Sequence, residues 1–401
     1  MKKYFIFILF IFTDLFSDYI LSEDENNRYY SSEHFRVIIG IEYTDTTFPY
    51  KLLDAAEISW QKEVIELGFQ APKNSAIKKI DIFVGNKKAY NYETNNYETI
   101  PSNYAGWATS YPSDNTPYFT MNPVLNDDQI KVTISHEFFH TIQYSYLENG
   151  YLDDTFKDKD IWWLEATAVL MEDEVYDDVN DYVGFLSPFF DKSYKSFEIY
   201  DGSHEYSMVI FAKFLREKYG IEFIKNTISQ IDTVTLNNGY FEIISNILET
   251  NHNTSMQSTI TEFANWISYK DEYFEEGVSY PEVTRYHISD NKSIEKGGIL
   301  LLSDITPSII QTYRIPRDYI EYSHISHLSK SYIDSLSNQW HLLGSSKDIS
   351  DLTIFDNVKY VWNYKDKKWS FYSNDNTIYI NNEDIDDLKT INANSGFWIL
   401  R

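Results

Sequence analysis

One segment near the middle of the chain limits the possible folds more than any other: a capped helix with two histidines one turn apart. Residues 126 to 128 (Asn-Asp-Asp) are types that favour a helix N-terminus. The apolar residues behind them recur at every fourth position and predict one buried stripe: Ile130, Ile134, Phe138 and Ile142. His136 and His140 are also four residues apart, so they lie together on a different face of the same helix.

The spacing of these histidines is typical of a metal site. Two imidazoles one turn apart bind one zinc ion, and Glu137 between His136 and His140 can reach a water molecule at the metal. A carboxylate in that position takes a proton from the water and passes it to a leaving group. We therefore predict that His136 and His140 are zinc ligands and that Glu137 is a general base.

A catalytic zinc site needs a third protein ligand. The histidine of the metzincin motif is absent, because its position holds Tyr146. Residues 161 to 176 predict a helix that is apolar nearly all round and that carries Glu165 in its first turns. A carboxylate in such a helix is costly unless it is paired or bound to metal. We expect Glu165 to be the third ligand. Glu172, seven residues later on the same face, either orients a zinc-binding histidine or is solvated.

These motifs resemble those of a known protein family. HEFFHTIQ followed by WWLEATAVLMEDEVYDDVNDY resembles secreted bacterial metallopeptidases of the gluzincin type, over about residues 34 to 230. WWLEATA is also similar to the WLNEGFA phrase of zinc aminopeptidases, although Ala166 replaces the glycine and the GxMEN exopeptidase motif is absent. The resemblance implies a zincin-like fold with an edge strand above the zinc helix. Residues 118 to 122 (YFTMN) are the expected edge strand.

A donor for the oxyanion of the reaction is harder to assign. Such sites often use a tyrosine or a histidine. Residues 201 to 206 (DGSHEY) open a further predicted helix, and they offer His204 and Tyr206 as candidates. Packing or surface roles stay open for both residues, since the chain has 34 tyrosines.

The composition narrows the possible partners. The net charge of −27 argues against nucleic acid and against an anionic membrane surface. Solubility explains this acidity, but structural calcium at acidic clusters such as 153 to 154, Asp158, Asp160 and 177 to 181 stays open. The chain has no cysteine, which excludes disulfides and thiolate zinc sites. The remaining expectation is a peptide or protein substrate.

The N-terminus resembles an export signal. Lys2 and Lys3 precede an apolar run that Asp14 interrupts, so the run is too short to anchor the chain in a bilayer. Cleavage after Ser17 or Ser22 predicts a secreted or cell-surface protein without membrane insertion. Residues 23 to 33 are expected to be a short polar leader.

The rest of the chain predicts an α+β fold with several parts. Strands over 34 to 43 and 79 to 85 precede the helical region that carries the motifs. A helix over 51 to 67 lies between them, and its expected apolar stripe includes Val64 and Leu67. Together these elements indicate a zincin-like domain over residues 34 to 280. A β-rich segment over 281 to 332 connects it to a small aromatic all-β module over 335 to 401, whose short predicted strands include residues 376 to 380.

The predicted function is that of a secreted zinc peptidase. Two alternatives stay open on the residues alone. One is a non-catalytic surface or binding protein that retains the fold, although an intact Glu137 argues against it. The other is a zinc hydrolase that acts on a non-peptide amide.

Overall fold

A computed structural model shows a mixed α/β protein with a β-rich, aromatic C-terminal region. It describes residues 19–401 except for the following gaps: 86–87, 92–95, 100–103, 149, 151, 153–155, 157, 235–238, 287–291, 303–307, 315–319, 327–329, 337–339, 346–347, 366–367, 375–384 and 393–394. The chain divides into two compact units, Met1–Asp154 with Met171–Asn180, and Thr155–Leu170 with Asp181–Arg401. In this part of the chain, no helix is long and apolar enough to cross a membrane.

The first unit is built on a six-stranded mixed sheet. Its strands are β1 (Ile20–Glu23), β2 (Asn27–Ser31), β3 (Phe35–Gly40), β4 (Ile80–Val84), β7 (Gly106–Ser110) and β8 (Pro117–Met121). Two further strands, β5 (Lys88–Asn91) and β6 (Asn96–Thr99), form a separate hairpin. The order is β1-β2-β3-β4-β8-β7. Strands β3, β4 and β8 are parallel to one another, whereas β7 runs antiparallel to β8. The strands predicted over 34 to 43 and 79 to 85 are confirmed.

Two predictions about this sheet are wrong. Residues 118 to 122 do not form its edge, because β8 lies between β4 and β7, and the edge strand is β7. Residues 23 to 33 are not a leader ahead of the fold but part of the sheet, because β2 pairs with both β1 and β3. The predicted signal falls on residues 1–18, outside the described residues, and on the start of β1.

Helices are present where they were predicted from residue 51, from residue 126 and from residue 161, and others accompany them. They are α1 (Phe48–Ser59), α2 (Asp127–Ser145), α3 (Asp158–Val175), α4 (Ser187–Asp191), α5 (His204–Ser207), α6 (Val209–Tyr219), α7 (Ile221–Ile228), α8 (Tyr240–His252), α9 (Met256–Ser268), α10 (Lys270–Tyr273) and α11 (Lys330–Ser335). Helix α3 is continuous, although the division between the two units falls within it. The single helix predicted after residue 203 is two helices, α5 and α6, which meet at Met208.

The predicted helix over 51 to 67 is present but changes its winding. Helix α1 continues as a π-helical segment, Trp60–Glu66, in which the N–H of Leu67 donates to the carbonyl of Lys62. More residues per turn alter which positions face the core. Glu63 is therefore buried, whereas Val64 and Leu67, expected on the apolar stripe, are only half-buried.

An eight-stranded sheet forms the C-terminal region. Its strands are β9 (Ile299–Leu302), β10 (Ser308–Arg314), β11 (Ile320–Ser326), β12 (Trp340–Ser345), β13 (Tyr360–Lys365), β14 (Lys368–Tyr372), β15 (Ile385–Asp387) and β16 (Ser395–Leu400). Strand β11 pairs in parallel with β12, so strands from 281 to 332 and from 335 to 401 share one sheet. A buried cluster that includes Val361, Phe397 and Ile399 packs with Ile333 of α11 on one face. Residues 376 to 380, a predicted strand, lie outside the described residues.

Candidate metal centre

Helix α2 begins at a two-way cap. The side chain of Asn126 accepts a hydrogen bond from the backbone N–H of Gln129, and Gln129 Oε1 accepts one from the N–H of Asn126, at 3.0 and 3.1 Å. This arrangement satisfies two backbone donors and fixes where the helix begins. The predicted stripe of Ile130, Ile134, Phe138 and Ile142 is buried, with each residue at most 2 % exposed. The cap and the stripe together fix the direction in which the histidine face points.

His136 and His140 face each other on α2. Their Nε2 atoms are 3.1 Å apart, and both residues are buried, at 8 and 7 % exposure. Two nitrogens that each lie about 2.0–2.1 Å from a tetrahedral zinc ion would be roughly 3.3 Å apart. The observed separation therefore suits two ligands of one zinc ion.

The other nitrogen of each ring is held by a side-chain oxygen. His136 Nδ1 is 2.7 Å from Oε1 of Glu172, and His140 Nδ1 is 2.8 Å from Oε1 of Gln143. When Nδ1 carries the proton and donates it to an oxygen, Nε2 is unprotonated and its lone pair can bind a metal. Glu172 thus makes the histidine contact that its spacing from Glu165 suggested. The role of Gln143 was missed, although its position three residues after His140 on one helix was a usable signal.

Glu165 completes a group of three donors. Glu165 lies two turns before Glu172 on the same face of helix α3. One ligand atom each from His136, His140 and Glu165 lie within 4.8 Å of one another. Two imidazoles and one carboxylate are a common ligand set for a catalytic zinc ion. The residues present therefore fit zinc.

Glu137 lies beneath the edge strand. A Cβ atom added to Gly106 of β7 would be 2.6 Å from Cγ and 2.8 Å from Oε1 of Glu137. Glu137 therefore lies close to the backbone of the sheet edge, and a larger residue at position 106 would require the Glu137 side chain to shift. Sequence reasoning missed Gly106, because nothing local links residues 106 and 137.

A second buried carboxylate lies within electrostatic reach of Glu165. Glu205 accepts hydrogen bonds from the backbone N–H groups of Asp201, Gly202 and Ser203, the closest at 2.8 Å from Gly202. Burial raises the pKa of Glu205, the backbone amides of Asp201 and Gly202 oppose the rise, and the negative charge of Glu165 adds to it. Glu205 was not singled out from the sequence.

The two candidate donors, His204 and Tyr206, differ in their surroundings. His204 is 4 % exposed, its ring lies 6.3 Å from that of Phe189, and its Nε2 has no hydrogen-bond partner among the described residues. Burial lowers the pKa of His204, so the ring is neutral at pH 7. Tyr206 is half-buried and packs against Phe185, with the ring centroids 6.0 Å apart. Neither residue belongs to the three-donor group.

The acidic clusters considered for calcium are only partly described. Asp177 has a carboxylate oxygen within 4.8 Å of one from Asp173, a residue outside the predicted acidic clusters. Asp160 is buried at 1 % exposure, and residues 153 to 154 lie outside the described residues. Exposed acidic groups often lie together without an ion, so calcium stays an untested prediction.

The sequence places the chain in a family. Residues 25–276 match a family of unknown function, DUF6055, and the match spans more than half of the chain. The protein belongs to this family. No curated protein matches the sequence.

Proposed function

We propose that the protein is an exported zinc-dependent peptidase of the gluzincin type, with a zincin-like catalytic domain. The single observation that carries the proposal is the donor group of His136, His140 and Glu165, in which the two Nε2 atoms are 3.1 Å apart. Burial supports the proposal as well, because removing two imidazoles and a carboxylate from water costs free energy unless they share a cation.

Each residue of the site has its own role in the proposed hydrolysis. Zinc, when bound by His136, His140 and Glu165, supplies a Lewis acid and lowers the pKa of a water molecule. Glu137 accepts the proton of the attacking water and delivers it to the leaving amine nitrogen. Glu172 keeps the His136 ring in the tautomer with a free Nε2. The low exposure of Glu137, 7 %, restricts competing water around the carboxylate.

The edge strand favours a peptide substrate over other amides. Strand β7 is at the edge of its sheet and reaches Glu137 at Gly106. An extended peptide can add to such an edge by main-chain hydrogen bonds, which would bring its carbonyl groups past Glu137. A small non-peptide amide would make no use of the strand.

We assign the oxyanion donor to Tyr206 rather than to His204. Tyr206 directly follows Glu205, which interacts with Glu165, and its half-exposed ring can meet a substrate. The His204 ring is enclosed in the protein interior. Tyr206→Phe should lower kcat roughly a hundredfold, because one hydrogen bond to the developing charge is lost, while zinc stays bound. An unchanged kcat would exclude this assignment.

A digest of a peptide library tests the proposal. The full chain loaded with zinc should cleave peptides, and Glu137→Gln should reduce the rate roughly a hundredfold or more, because the amide cannot accept the proton. The matched control is Glu148→Gln, an exposed residue just after α2, which should cleave at the wild-type rate. A zinc-loaded wild type that cleaves no peptide would instead favour the non-catalytic alternative.

A further inference from the structure

A buried glutamate on the π-helical segment lies behind the metal centre. Glu63 has 0 % exposure, and its Oε2 has no hydrogen-bond partner among the described residues. Burial raises the pKa of Glu63 well above its usual range and so favours the protonated, neutral carboxylic acid. Such a group is costly in a protein interior, and π-helical turns are frequent at functional sites.

Glu63 contacts the residue that precedes the first histidine. Its Oε1 is 3.3 Å from Oγ of Ser135, which itself lies 2.8 Å from the carbonyl oxygen of Met171. The hydroxyl of Ser135 has one hydrogen, and the shorter contact assigns it to Met171. A neutral Glu63 can then donate its own hydrogen to Ser135 Oγ.

The hydrogen bonds of Ser135 lie next to the contact between His136 and Glu172. Ser135 precedes His136 on α2, and Met171 precedes Glu172 on α3, while His136 and Glu172 meet at 2.7 Å. The hydroxyl bridge and the histidine–carboxylate contact are therefore neighbouring links between the same two helices. A change in the contact between Ser135 and Met171 therefore alters the distance between His136 and Glu172.

We propose that Glu63 is a positioning residue of the metal centre, which acts through Ser135 on the contact between His136 and Glu172. This inference rests on the proposed zinc site. Groups outside the ligand shell that orient a ligand typically change metal affinity 10- to 100-fold when they are removed. Because Glu63 acts through one intermediate residue, we expect the lower end, roughly tenfold.

Two substitutions of Glu63 separate positioning from packing. Glu63→Gln keeps the size and a neutral donor, so its zinc affinity should stay near wild type. Glu63→Leu keeps the size but loses the hydrogen bond, so zinc should bind roughly tenfold more weakly. The stability of the zinc-free Leu variant should equal or exceed that of wild type, because an apolar side chain replaces a buried polar one. Glu57→Gln is the matched control on α1, where Glu57 bonds His34 instead, and its zinc affinity should not change.

The measurements are zinc affinity by competition with a chelator, the absorption spectrum of the cobalt-substituted full chain, and urea unfolding without metal. Wild-type affinity in Glu63→Leu, or an equal loss in Glu63→Gln, would overturn the inference while leaving the zinc site intact. If Glu63→Leu does not fold, Ser135→Ala tests the same link and should show the same loss. A wild type that binds no zinc would end the proposed function and this inference together.

Discussion

Gly106 and Glu137 lie close together, since a Cβ atom at position 106 would lie 2.6 Å from Cγ of Glu137. A side chain at position 106 would thus occupy space that the side chain of the proposed general base now fills. Gly106→Ala should therefore displace the carboxylate of Glu137. A displacement of about 1 Å can reduce the rate of peptide hydrolysis roughly a hundredfold.

Zinc content separates this effect from a loss of the fold, because Gly106→Ala should retain zinc through ligands that it does not touch. Gly184→Ala is the matched control, since nothing lies within 4 Å of a Cβ atom at that position. Equal rates in Gly106→Ala and wild type would show that Glu137 does not act from its present place.

The contact between Glu172 and His136 predicts a dependence of metal affinity on Glu172. Glu172→Ala removes the acceptor of His136 Nδ1–H and should weaken zinc binding roughly 10- to 100-fold, as measured by chelator competition. Glu174→Gln, two residues later on the same helix, serves as the control. Unchanged affinity in Glu172→Ala would mean that the contact has no part in holding the metal.

His204 predicts a specific response to acid. Burial lowers its pKa in the folded chain, whereas an unfolded histidine has a pKa of about 6.5. Below about pH 6.5 the unfolded chain therefore binds a proton that the folded chain excludes, and the free energy of unfolding falls as the pH falls. His204→Gln should lose less of that free energy between about pH 7 and pH 5, as measured by urea unfolding. An identical decline in both proteins would contradict the burial of a neutral ring.

Removal of the chain from Leu336 onward tests how independent the last strands are. Strand β11 pairs with β12, so this truncation exposes the edge of β11. Exposed edges promote aggregation. We expect the truncated chain to keep zinc binding but to associate, as measured by light scattering. Loss of zinc from a folded, monomeric truncation would mean that the removed strands help to build the metal centre.

The sequence predicted those parts of the site that depend on helical periodicity. His136, His140 and Glu172 follow from spacings of four and seven residues, and a cap fixes the start of α2. Local sequence patterns do not predict the order of the strands in a sheet. Residues 118 to 122 therefore looked as suitable for the edge as Gly106–Ser110, although only the latter lies there.

The buried Glu63 shows a second limit of sequence analysis. Periodicity of 3.6 residues placed Val64 on the apolar stripe, and the π-helical winding buried Glu63 instead. Local winding of this kind responds to tertiary packing, such as the contact between Glu63 and Ser135, and propensity does not reveal it.

The zinc content of the purified full chain tests the central claim most directly. After incubation with zinc and removal of the unbound ion, elemental analysis should find about one zinc per wild-type chain, and much less in His136→Ala/His140→Ala and in Glu165→Ala. His252→Ala should retain zinc as the control, and circular dichroism should show that all variants are folded. A folded His136→Ala/His140→Ala protein that still carries one zinc ion would contradict the account.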